Sequence, residues 1–283
     1  MRAVFPALCA SLVLAVGCPS GEEPAASVAA SASEAPVAAP ELPPLDAAGL
    51  AAGADNAALV PSPVETQRAL EQAGVATQLS SLIPKHAFDL AKSEGDHAAL
   101  RTGVLLADAL LTVKTSEKAD LIARLDGVRT GLEQLQAGDD VKRTLTDMTE
   151  RIQADSVTRD ELLKEFDELS GAVIPELEFN GNKRIVPLIQ AGSWLEGANL
   201  VAKAVKAAGN PSAADVLLKQ PAVVDYFIGY VKSEGTEKAP AAVTTKLETS
   251  LHTLKTLAAK TDPLAAADID TVVTVTDEVL GLL

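Results

Sequence analysis

Four consecutive residues, Ser62-Pro63-Val64-Glu65, separate the part of this 283-residue chain that can fold from the part that cannot. They read as a helix start. The serine hydroxyl can accept a backbone N–H, the proline sits where no helical N–H is needed, and the glutamate is spaced to reach back to the cap. Before them, from Pro19 to Ser62, the chain is Pro, Ala, Ser, Gly and acid, as in PAASVAASASEAPVAAPELPP. This stretch carries Glu22, Glu23, Glu34, Glu41, Asp46 and Asp55 and no Lys or Arg. It offers too little bulky apolar surface to offset the entropy of ordering, so a disordered tether is expected over 18–62. A coil of that length spans on the order of 35–40 Å and stretches to roughly 150 Å.

After the boundary the punctuation is helical throughout. The first helix is predicted from Pro63 to about Ile83, stopped by Pro84. A second begins after Pro84 or near Asp96 and runs through AALRTGVLLADALLTV to Lys114. A third is expected from Ser116 to Ala137 with Gly138 as its stop, and a fourth from Asp139 or Asp140 to Ala154. Thr158-Arg159-Asp160-Glu161 is a second capping box, opening a helix toward Glu178 with a bend expected at Pro175. Lys183 to Ala208 is halted by Gly209-Asn210-Pro211. Shorter helices are expected at 212–219 and 222–232, and longer ones at 239–260 and 263–282. The best strand candidate, TVVTVT at 271–276, sits in helical surroundings.

Composition agrees with this reading. Aromatics are 3% of the chain, and alanine and leucine supply much of the apolar content, which favours helices over sheet. The expectation is an all-α fold, a single multi-helix bundle over 63–283. The segment 239–283 is weighed as a separate helical hairpin because KSEGTEKAPAA reads as a linker. The formal charge of -15 repels phosphate backbones and anionic lipid surfaces, so nucleic acid is not an expected partner.

The first 17 residues have one positive charge, Arg2, and then an apolar run from Ala3 to Gly17 broken only by Pro6 and Ser11. A run that short falls below the roughly 20 residues of a stable bilayer-crossing helix and has the layout of a secretory signal. Its end, Leu14-Ala15-Val16-Gly17-Cys18, resembles the lipobox of bacterial lipoprotein precursors. The resemblance implies diacylglycerol on the Cys18 thiol, cleavage after Gly17 and acylation of the new amino group with a fatty acid such as palmitate. With Pro19 rather than aspartate after the cysteine, it further implies outer-membrane sorting, facing the periplasm. The alternative is ordinary cleavage within 25–32, which would release a cysteine-free protein. In both cases the mature chain has no disulfide, since Cys9 leaves with the leader.

Few residues invite chemistry. The histidines are His86, His97 and His252. Glu94-x-x-His97 has the spacing used in di-iron bundles, but such sites need a second copy on another helix, and none occurs. No Cys-x-x-Cys-His, Gly-x-Ser-x-Gly, phosphate-binding loop or dinucleotide fingerprint is present. No cofactor, metal or catalytic residue is therefore expected. Two stretches stand out. Asp108 interrupts VLLADALL, and Arg101 lies two turns earlier on nearly the same face, so Asp108 should find a partner or a wet pocket. GSWLEGANLV holds Gly192, Gly197 and Ala198 beside Trp194, the only tryptophan, and a small-residue patch admits a neighbouring helix or a ligand. If there is a pocket, Arg101, Asp108, Trp194 and Glu196 are the candidates for its lining. The expected function is a membrane-tethered, non-catalytic envelope module with a protein or glycan partner. A carrier of a small apolar ligand is the first alternative, and an envelope enzyme the second.

Overall fold

The computed structural model describes residues 63–75, 79–84, 90, 93, 95–179, 185–234 and 241–283. The described residues all fall within one compact unit, Asp46–Leu283. The leader, Cys18, the expected tether and His86 all lie outside the described residues.

The described residues are all-α, with eleven helices and no strand. These are α1 (Pro63–Gln72), α2 (Leu79–Leu82), α3 (Gly95–Thr112), α4 (Lys118–Gln134), α5 (Asp139–Gln153) and α6 (Arg159–Phe179). They continue with α7 (Val186–Ala208), α8 (Ser212–Leu218), α9 (Pro221–Glu234), α10 (Ala241–Ala258) and α11 (Ala266–Leu280). TVVTVT is helical, inside α11. One core runs from Val64 in α1 to Leu280 in α11, and 241–283 contributes Leu247, Leu251, Leu254, Ile269 and Val272 to it.

Several helix ends differ from the predicted ones, and the reason is local. The predicted first helix stops eleven residues early, at Gln72. Gly74 turns left-handed with φ 69°, and Val75 N–H bonds back to Leu70 O at 3.0 Å. That six-to-one closure ends a helix without proline. The same closure ends α4 and α5 on residues that carry side chains. Gln136 adopts φ 59° with Ala137 N–H on Leu132 O at 2.9 Å, and Asp155 adopts φ 52° with Ser156 N–H on Arg151 O at 3.0 Å. Gly138, predicted as the stop of a helix, caps the start of the next. Ser116, predicted to start a helix, is buried and accepts a hydrogen bond from Arg124. The Thr158 capping box forms as read. Glu161 Oε2 accepts from Thr158 N–H at 2.8 Å, and Glu161 N–H donates to Thr158 Oγ1 at 3.2 Å. Pro175 lies inside α6, which continues through it.

The centre of the bundle is the seam between α3 and α7, the most extensive helix contact in the described residues. Helix α4 flanks α3, and α11 lies along α7. Glycine sets how close the seam becomes. A Cβ at Gly103 would stand 2.0 Å from Ile189 O, and one at Gly192 would stand 2.1 Å from Leu100 O. The two backbones therefore touch where each helix lacks a side chain. No helix of the described residues is long and apolar enough to cross a membrane.

Candidate functional site

Glu196 follows Gly192 by four residues, one turn along the same face of α7, whereas Asp108 follows Gly103 by five, about 140° further round α3. Asp108 is 1% exposed and Glu196 0%. Their side chains are within hydrogen-bonding reach of each other. Two carboxyls removed from water and facing one another cannot both ionise cheaply. Burial, then the neighbouring Glu196 charge and the hydrogen bond to Glu196, push the Asp108 carboxyl well above its ordinary range. Arg124 of α4 and Lys203 of α7 pull the other way, less strongly.

The surroundings of the pair are polar in an ordered way. Thr102 donates to Ala98 O at 2.6 Å and Thr112 to Asp108 O at 2.5 Å, each hydroxyl satisfied on its own helix. Arg124 Nη1 donates to Thr112 Oγ1 at 3.0 Å and also to Ser116 Oγ. On the α11 side, Asn199 Nδ2 donates to Thr276 Oγ1 and to Asp277 Oδ1, both at 2.9 Å. Lys203 Nζ meets the same Asp277 oxygen at 2.9 Å. Asn199 and Thr276 are fully buried, and Thr276 also donates to Val272 O at 2.7 Å. Hydrogen bonds therefore tie α4 to α3 on one side of the pair and α7 to α11 on the other.

The four residues singled out from the sequence fall into three places. Asp108 and Glu196 meet in the seam. Arg101 instead donates to Ser93 Oγ, and the cations that act on Asp108 are Arg124 and Lys203. A helical arginine reaches back toward the N-terminus of its helix, so a spacing of seven residues does not bring it to Asp108. Trp194 lies two residues before Glu196, about 200° around α7, and so faces a different layer. Its Nε1 donates to Gln220 Oε1 at 3.1 Å, and its ring lies 5.5 Å from Phe227. It lines an apolar cavity with Leu111, Val201, Val224, Leu254 and Leu257 whose volume is about 30 Å³. That is room for a water molecule or two. Gly197 and Ala198 line this cavity, whereas Gly192 receives the α3 backbone.

Two further polar residues lie at the surface. Asp225 is exposed and pairs with Lys255 of α10 at 2.5 Å. His252 lies 3.9 Å from Glu248 on the exposed side of α10. No cluster of three or more His, Cys, Asp or Glu side chains that could hold a metal ion occurs among the described residues. Sequence reading missed Arg124, Lys203, Asn199 and Thr276, whose roles depend on which faces of α4, α7 and α11 turn inward. Set against known proteins, the chain matches no family model, no curated protein and no solved structure.

Proposed function

We propose that this chain is a lipid-anchored, non-catalytic module of a bacterial cell envelope whose helical body meets a protein or glycan partner with its outer surface. The observation that carries this reading is how little space is left beside Trp194. The cavity beside Trp194 holds about 30 Å³, whereas a pocket for a drug-sized or acyl ligand occupies roughly 300 Å³ or more. A carrier that holds an apolar ligand beside Trp194 is thereby disfavoured.

The surface available for that is polar. Leu282, 42% exposed, is the only large apolar side chain found well exposed among the described residues. Contact with a partner would therefore be guided by charge and hydrogen bonds, and the acidic chain, with a sequence pI near 4.6, favours a neutral or basic counterpart over nucleic acid. The buried carboxyls lend no support to an enzyme, because a substrate has no route to groups 1% and 0% exposed.

The anchor rests on the Leu14–Cys18 run and the Pro/Ala/Ser tether after it. Three acyl chains would hold firmly where one would not, since each buried CH₂ adds about 0.8 kcal/mol. The reading puts Cys18 in the outer membrane and the body in the periplasm. Palmitate labelling of the wild type against Cys18→Ala tests the anchor: label lost only in the variant is expected, and equal or absent label in both contradicts it. Titration with fatty acids while following Trp194 fluorescence tests the closed interior, which predicts no saturable change.

A further inference from the structure

The α3/α7 seam combines three features that neither the anchor nor a partner surface requires. These are backbone contact through Gly103 and Gly192, a fully buried carboxyl pair beyond it, and hydrogen bonds on either side of that pair, Arg124 to Thr112 and Asn199 to Thr276. We infer that Asp108 and Glu196 form a proton-operated latch, closing the α3/α7 crossing while they share a proton and releasing it when that proton leaves. The inference goes beyond the proposed function and holds whether or not the chain carries lipid.

The charges around the pair set how such a latch behaves. From α7 come Glu196 itself and Lys203, and from α4 comes Arg124. From α11, Asp277 engages Lys203 and Asn199, so part of the Lys203 charge is spent on that carboxylate. From α1, Glu71 pairs with Lys114 at 3.2 Å, beyond the end of α3. Helix α2, Leu79-Ser80-Ser81-Leu82, carries no titratable side chain. Two cations therefore face two acids, and one of the cations is shared with a third acid. When the shared proton is lost, two like charges stand next to each other, both buried from solvent. Relief requires the helices to part.

The direction with pH follows. The unfolded chain releases the Asp108 proton from its ordinary value of 3.8 upward, while the folded pair keeps it. Over that window the folded state binds more protons, so stability falls as pH rises, until the folded pair itself ionises.

The test is urea unfolding of the full chain across pH, comparing the wild type with the double substitution Asp108→Asn, Glu196→Gln, which keeps shape and hydrogen-bonding capacity but cannot titrate. The folding equilibrium constant of the wild type should fall relative to the variant by up to about tenfold per pH unit above the ordinary carboxyl range. Parallel pH curves for the two proteins would overturn the latch. Infrared spectra of the wild-type chain decide the matter even if the variant does not fold. A D₂O-sensitive carbonyl stretch of a protonated carboxylic acid should persist at neutral pH, and its absence there would equally overturn the proposal.

Discussion

Helices α3 and α5 are similar in length and sit in the same domain, but they are built on opposite plans. In α5, Val141, Leu145, Met148 and Ile152 point inward at spacings of three and four, and the remainder is largely polar surface. In α3 most residues from Ala98 to Thr112 are buried, including Thr102, Asp108 and Thr112. A helix with a single apolar stripe declares its inner face, and its polar side chains need no explanation. A helix buried on nearly all sides must state its neighbours in another way, and here glycine and paired acid do that. Substitution should therefore have different consequences in the two regions.

The largest effect should come from the conventional core. Leu145→Ala leaves a void under α5 and should cost about 3 kcal/mol in urea unfolding, as fully buried leucines do. Less than about 1 kcal/mol would mean that the stripe is not packed as described. Next, Gly192→Ala would drive a methyl group to 2.1 Å from Leu100 O, a backbone atom that cannot step aside, and should cost about 2 kcal/mol by overpacking. The same change at exposed Gly171 in α6, where a Cβ would meet nothing within 4 Å, should instead stabilise by just under about 1 kcal/mol. Like signs at the two glycines would break the comparison. Thr158→Ala removes the α6 cap and should cost about 1 kcal/mol, with helix fraying visible in the amides of the first turn.

Carboxylates sharpen the contrast further. Asp268 is held below its ordinary range by Lys260 and by the Ala265 N–H, and Asp215 by the Leu264 N–H and Lys219. Each has a lowered folded value, so its contribution is present above the ordinary carboxyl range and is lost as pH falls through the folded value. Asp268→Asn and Asp215→Asn should each flatten the acid limb of a stability–pH profile and leave the alkaline limb unchanged. The seam pair should control the opposite limb. The same side-chain chemistry answers pH in two directions, according to whether donors or burial surround it.

This contrast also marks how far the sequence could be read. The all-α architecture and the α6 capping box follow from periodicity and caps, and the end of α7 at Gly209 follows from the Gly-Asn-Pro stop. The end of α1 does not, because Gly74 resembles any tolerated helical glycine until its φ is known. The ends of α4 and α5 close on Gln136 and Asp155, which nothing in the sequence marks as left-handed. Within the candidate site, Asp108 signalled itself by lying in an apolar run, and Glu196 by lying among small residues. Their pairing depends on the rotation of α3 and α7 about their axes, which a chain apolar on nearly every face leaves open. Gly103 and Gly192 hold that information. It becomes legible only once the two helices are set against each other.

Amide hydrogen exchange on the full chain, followed helix by helix from about pH 5 to about pH 9 and corrected for the intrinsic pH dependence of exchange, tests the seam most directly. The account predicts that protection in α3 and α7 declines first and furthest on the alkaline side, while α5 changes little until the whole bundle unfolds. If α3, α7 and α5 lose protection in parallel, or if α3 and α7 stay equally protected throughout, the two carboxyls do not hold the crossing.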